Sequence, residues 1–219
     1  DNYRKFSGQD EEYRNIRSKI KRVEYIMENA QSSNCGEYYP EIFNLIDSNF
    51  RIAHTLFENG TKAREEFNWD ENIYKDRYKV IDMHLERILN EENNLSLYLD
   101  NSNFLKKTGE VTESVKNEIE NIRESYYMAV NPSLFNKMVQ RKDKLVIYYS
   151  EFLNTLKNDP TVPKKDFYYT HIKNESDYIL STLESIKESP QSKIVTSINT
   201  MISNIDKVLV QEKDIKFFF

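Results

Sequence analysis

Cysteine is almost missing from this chain. Cys35 stands alone among 219 residues, so an intrachain disulfide, a redox CxxC pair and a cysteine-based zinc site are all excluded. Glycine is nearly as scarce, at four. Neither GxxxxGK(S/T) nor GxGxxG nor GxSxG occurs, which removes the phosphate-cradling loops and the nucleophile elbow. The three histidines, His54, His84 and His171, lie far apart. None belongs to an HExxH, and none follows a Glu at the spacing of a di-iron bundle. No stretch approaches the roughly 18–20 apolar residues that a membrane span requires. A net charge of −5 argues against a nucleic-acid partner for the chain as a whole. These absences predict a protein that is not an enzyme, with no cofactor, no metal and no small-molecule substrate.

What is present favours folding. Aromatic residues make up 13%, with fifteen Tyr and twelve Phe, beside 38% apolar and 31% charged residues. The abundance of Asn, Lys, Ile, Tyr and Phe over Gly, Ala and Pro matches AT-rich codon usage.

The apolar period is helical nearly throughout. Tyr13, Ile16, Ile20, Val23, Met27 and Ala30 alternate in steps of three and four, the seam of a packed helix. The spacing returns in Tyr74, Tyr78, Ile81, Leu85, Ile88, Glu92, Leu95 and Leu99, in Val115 through Ala129, and after Pro190 in Ile194, Ile198, Met201, Ile205 and Val208. Breaks are expected at 32–40 ("SSNCGEYYP"), 100–110 ("DNSNFLKKTGE") and 158–163 ("NDPTVP"), which carry helix-ending residues. They leave arms of about 8–32, 40–100, 111–157 and 164–216 within one domain spanning 1–219. Such arms predict an all-α fold, an elongated antiparallel (up-down-up-down) four-helix bundle. Gly60, Pro132 and Pro190 interrupt the last three arms and are candidate hinges. Alternatively each proline opens a new helix, with Asn131 and Ser189 as caps.

Two surface features carry the functional expectation. Arg14, Arg17 and Lys21 form a basic stripe on the first helix, suited to an anionic surface or simply the solvated side of an amphipathic helix. Residues 42–57 show two apolar seams, one of them through Phe43, Phe50 and Phe57. With Phe67, Trp69, Phe104 and the terminal Phe217, Phe218 and Phe219, they are candidate contacts for a membrane or a protein partner. Glu92 and repeated Tyr fall on core seams, where polar groups loosen packing unless paired. Apolar residues outside and polar ones inside describe a bundle able to open on a membrane. The setting of Cys35 reads as a turn with an exposed thiol. The terminal seam through Val208 and Ile215 suggests that part of the Phe tail packs, but three consecutive helical residues cannot all face one core.

The helical run from "EEYRNIRSKIKRVEYIMENA" to "SKIVTSINTMISNIDKVLVQEKDIKFFF", together with length, composition and a start at Asp1 without Met, resembles the sporozoite protein essential for cell traversal (SPECT) family of malaria parasites. That start fits either an artificial beginning or a mature chain whose leader was removed. The resemblance implies a four-helix bundle secreted from the micronemes to the parasite or host-cell surface. It also implies a role in host-cell traversal, with host membrane lipids or a surface protein as partner. The reticulocyte-binding type of erythrocyte ligand is a second helical family of the same parasites. Its members are far larger, whereas this chain reads as complete, so a helical adhesin is the alternative.

Overall fold

The computed structural model describes residues 7–67, 71–126, 132–163 and 165–216. Among them every regular element is a helix: α1 (Ser7–Ser32), α2 (Cys35–Tyr38), α3 (Pro40–Phe67), α4 (Glu71–Leu89), α5 (Glu92–Tyr126), α6 (Pro132–Asn158), α7 (Lys165–Lys187) and α8 (Pro190–Lys216). Internal contacts gather into two compact units. One holds Asp1–Lys106 and Thr155–Val162, the other Lys107–Asn154 and Pro163–Phe219.

In the first unit, α1 buries Ile16, Ile20, Val23, Met27 and Ala30 as its spacing predicts, and packs against α3 and α4. The larger of these side chains, Ile16, Ile20, Val23 and Met27, each contribute about 1.5–3 kcal/mol when fully buried. Around this apolar contact lie polar ties. Lys19 Nζ meets Asp82 Oδ1 and Glu86 Oε1, both at 2.6 Å, and His84 Nδ1 donates to Asn49 Oδ1 at 2.9 Å. Asn34, at φ 57°, takes the left-handed conformation that Asn tolerates and turns the chain from α1 into α2. Two hydrogen bonds tie residues 155–162 into the unit: Tyr39 Oη donates to the Leu156 carbonyl at 2.9 Å, and Asn101 Nδ2 to that of Pro160 at 2.7 Å.

In the second unit, the later part of α5 runs antiparallel to α6, with Arg123 6.0 Å over the Phe135 ring and Gly109 opposite Tyr149. Helix α7 returns antiparallel to α6: Phe152 stacks on Tyr168 at 5.1 Å, and Arg141 Nη2 donates to Glu175 Oε2 at 2.8 Å. Val115, Ile119, Ile122, Met138, Leu145, Phe152, Ile172, Ile179 and Leu183 form its core.

Several expectations need correction. The stretch 100–110 is no loop but the interior of α5. Its Asn and Ser favour turns because their side chains compete for backbone partners. Here those side chains are buried and occupied: Asn101 holds Pro160, and Ser102 Oγ donates to the Tyr98 carbonyl. The arm expected over 40–100 is divided among α3, α4 and the start of α5. Its seam nevertheless survives the turn at 90–91, since Ile81, Leu85, Ile88, Leu95 and Leu99 are all buried. Glu92 is not a misfit in the core, because it opens α5 and pairs with Arg22. Gly60 interrupts nothing, for α3 continues through it. Pro132 and Pro190 each stand first in a helix, where a missing N–H costs no hydrogen bond.

Candidate functional site

The junction between α7 and α8 is built by hydroxyl groups. Ser189 Oγ accepts from the Ser192 backbone N–H at 3.2 Å, an N-cap that satisfies one free donor at the start of α8. Ser192 Oγ donates to the Ile186 carbonyl at 2.6 Å and is fully buried. Beyond Ser192 the burial stops. From Lys193 to Lys207 no described side chain is buried.

On that segment Ile194, Ile198, Met201, Ile202 and Ile205 are 49–64% exposed. At 100° per residue they fall on one face, a stripe three positions in seven wide. The opposite face carries Thr196, Ser197, Asn199, Thr200, Ser203 and Asn204. Thr196 Oγ1, Ser197 Oγ and Thr200 Oγ1 donate to carbonyls four residues earlier, at 2.9, 3.0 and 2.9 Å. No charged residue lies between Lys193 and Asp206.

No family model, curated protein or solved structure matches this chain.

The candidates read from sequence are placed as follows. Phe43, Phe50 and Phe57 are half-buried. Phe43 lies over Gly36, Phe50 meets the His54 ring at 5.3 Å, and Phe57 stacks on Tyr13 at 5.3 Å. Ile46 and Ala53 on the same seam are fully buried, so the 42–57 face is mostly packed; Ile52 remains exposed. Phe104 is a half-buried residue of α5 rather than a loop aromatic. Arg14, Arg17 and Lys21 are exposed along α1, while their neighbours Lys19 and Arg22 pair with acids of α4 and α5. Trp69, Phe217, Phe218, Phe219 and the side chains of Phe67, Val208 and Ile215 lie outside the described residues.

Cys35 is fully buried, contrary to the exposed thiol its turn-like setting suggested. Burial pushes the thiol pKa up, and a hydrogen bond with Ser102 only partly offsets it. Among the described residues no three His, Cys, Asp or Glu side chains gather into a metal site, and no helix is long and apolar enough to cross a membrane. A cavity of about 430 Å³ between α6 and α7 is lined by Arg141, Lys144, Leu145, Tyr148, His171 and Glu175. Its two best-placed charges, Arg141 and Glu175, are spent on each other.

The α8 stripe is what the sequence reading misjudged. Its seam spacing looked like core, and spacing alone does not say whether a partner lies opposite. The available signal was the neutral polar face, because α1, which packs against α3 and α4, carries Arg14, Arg17, Lys21 and Glu28 on its exposed side.

Proposed function

We propose that this chain is a non-enzymatic secreted factor that acts at host-cell membranes during traversal, as the resemblance to the SPECT family implies. The observation that carries this reading is the exposed isoleucine and methionine stripe of α8. A helix with one apolar and one polar face lies in a membrane interface, its apolar side sunk about 5–10 Å into the headgroup boundary. The partner is lipid at the host surface, reached after release from the micronemes. In this reading the helices form an up-down-up-down bundle that opens as α8 engages.

Liposome flotation with dye release tests it, comparing the intact chain with Ile198→Asp. A charge in the stripe should abolish flotation and leakage while leaving thermal unfolding unchanged, since Ile198 is exposed. Flotation unaffected by Ile198→Asp would remove α8 from the function.

A second reading, a helical adhesin for a host receptor or parasite protein, is favoured by Phe167 and Tyr178, which stand exposed on α7. Aromatic residues are enriched in protein interfaces. Receptor capture without lipid, lost in Phe167→Ser, would support it.

A further inference from the structure

The polar face of α8 narrows the choice of membrane, and the inference drawn from it rests on the membrane reading above. We infer that α8 recognises loosely packed, highly curved lipid surfaces rather than anionic ones.

Adsorption of an amphipathic helix has two sources, insertion of apolar side chains and attraction of basic residues to anionic headgroups. On α8 the second is missing. The twelve residues Ile194–Ile205 carry no charge, and the nearest flanking charges, Lys193, Asp206 and Lys207, sum to a single positive one. The first source is intact, with Ile194, Ile198, Met201, Ile202 and Ile205 on one face. Insertion then depends on how readily the outer leaflet admits bulky β-branched side chains. That admission is easiest where curvature spreads the headgroups.

The hydroxyls support the same conclusion. Thr196, Ser197 and Thr200 each donate to a carbonyl of α8 itself. Their hydrogens therefore need no water, which lowers the cost of holding this face at the headgroup boundary.

Other occupants fit less well. A second copy would pair through a coiled-coil seam two positions in seven wide, flanked by opposite charges that fix register. Here the stripe is three positions wide and its flanks are neutral.

The test uses the full chain and pure phosphatidylcholine vesicles of about 30 nm and about 200 nm, with a third set of about 200 nm containing phosphatidylserine. Binding is compared at equal accessible lipid, alongside Ile198→Asn and the double variant Thr196→Lys/Thr200→Lys. The expected result is binding about tenfold stronger to small neutral vesicles than to large ones, and lost in Ile198→Asn by a similar factor. Phosphatidylserine should not strengthen binding of the native chain, and binding of the double-lysine variant should respond to it more favourably than that of the native chain. Equal binding to both neutral sizes, or binding driven by phosphatidylserine regardless of size, overturns the inference and leaves membrane action standing. No binding to any vesicle overturns both. A dimer in sedimentation that Ile198→Asn dissolves assigns the stripe to a second copy and also overturns it.

Discussion

At the scale of single residues, Tyr39 shows what a buried hydroxyl does for the first unit. Its Oη donates to the Leu156 carbonyl, one of the last four carbonyls of α6 and therefore without a helical partner. Tyr39→Phe should cost about 1–2 kcal/mol, because the carbonyl is left buried and unpaired; urea unfolding measures it. Burial, chiefly, pushes the Tyr39 hydroxyl from 10.0 up to about 12. The folded state thus keeps a proton that the unfolded chain releases. The contribution is complete below pH 10 and is lost as pH rises toward about 12, so Tyr39→Phe should flatten the alkaline fall in stability. Gly109 makes a different kind of contact. A Cβ there would come within 2.8 Å of the Tyr149 hydroxyl oxygen, with Cζ next at 3.3 Å. Gly109→Ala gains about 1 kcal/mol of helix propensity but forces the end of the Tyr149 side chain to shift out of its packing, so net destabilisation is expected. In a Tyr149→Phe background the alanine should cost less, a positive coupling that a double-mutant cycle detects. Independent, additive costs would show that the close approach is not what requires glycine.

At the scale of elements, the sequence was most informative where apolar spacing and burial coincide, and least where polar residues do structural work. The α1 seam was legible from Ile16 to Ala30, with Tyr13 only half-buried and the buried Ile26 outside the predicted set, because a helix packed on one side leaves a simple period. The Asn101–Gly109 stretch was not, because Asn, Ser and Gly signal a turn whether or not neighbours occupy their side chains. Only the fold reveals Pro160 and Tyr149 opposite them. Prolines were legible as helix starts through the cap before them, and Ser189 bears this out with its bond to Ser192. That cap matters more for α8 than for any packed helix. With no buried side chain from Lys193 to Lys207, α8 depends on its capped start and its length, and isolated helices are marginal in water. Ser189→Ala should remove about 1 kcal/mol from it. Hydrogen exchange should show α8 amides exchanging faster than those of α6 and α7 and accelerating further in this variant, with protection restored by small neutral vesicles. Exchange in α8 as slow as in α7 would mean that something covers the stripe in solution.

At the scale of the whole molecule, charge and apolar surface act in opposition. The chain carries a net −5, and α8 supplies no compensating cluster of basic residues. In the membrane reading proposed above, contact through α8 is short-ranged and apolar, whereas the net negative charge of the whole chain is repelled by anionic lipid over a longer range. That repulsion is screened by salt, over about 10 Å at 0.1 M and about 3 Å at 1 M. Apolar insertion is not weakened by salt in this way. The sign of the salt dependence is therefore fixed. On vesicles containing phosphatidylserine, raising salt should strengthen binding of the intact chain, the reverse of what a basic stripe gripping headgroups would give. On neutral vesicles salt should change little. Arg14, Arg17 and Lys21 provide the contrast, since they are exposed basic residues of α1. If they held the membrane, binding would fall as salt rises and would fall again in Arg14→Ala/Arg17→Ala/Lys21→Ala. Flotation across a salt series separates the two surfaces: binding that rises or holds with salt assigns contact to α8, and binding that collapses assigns it to α1.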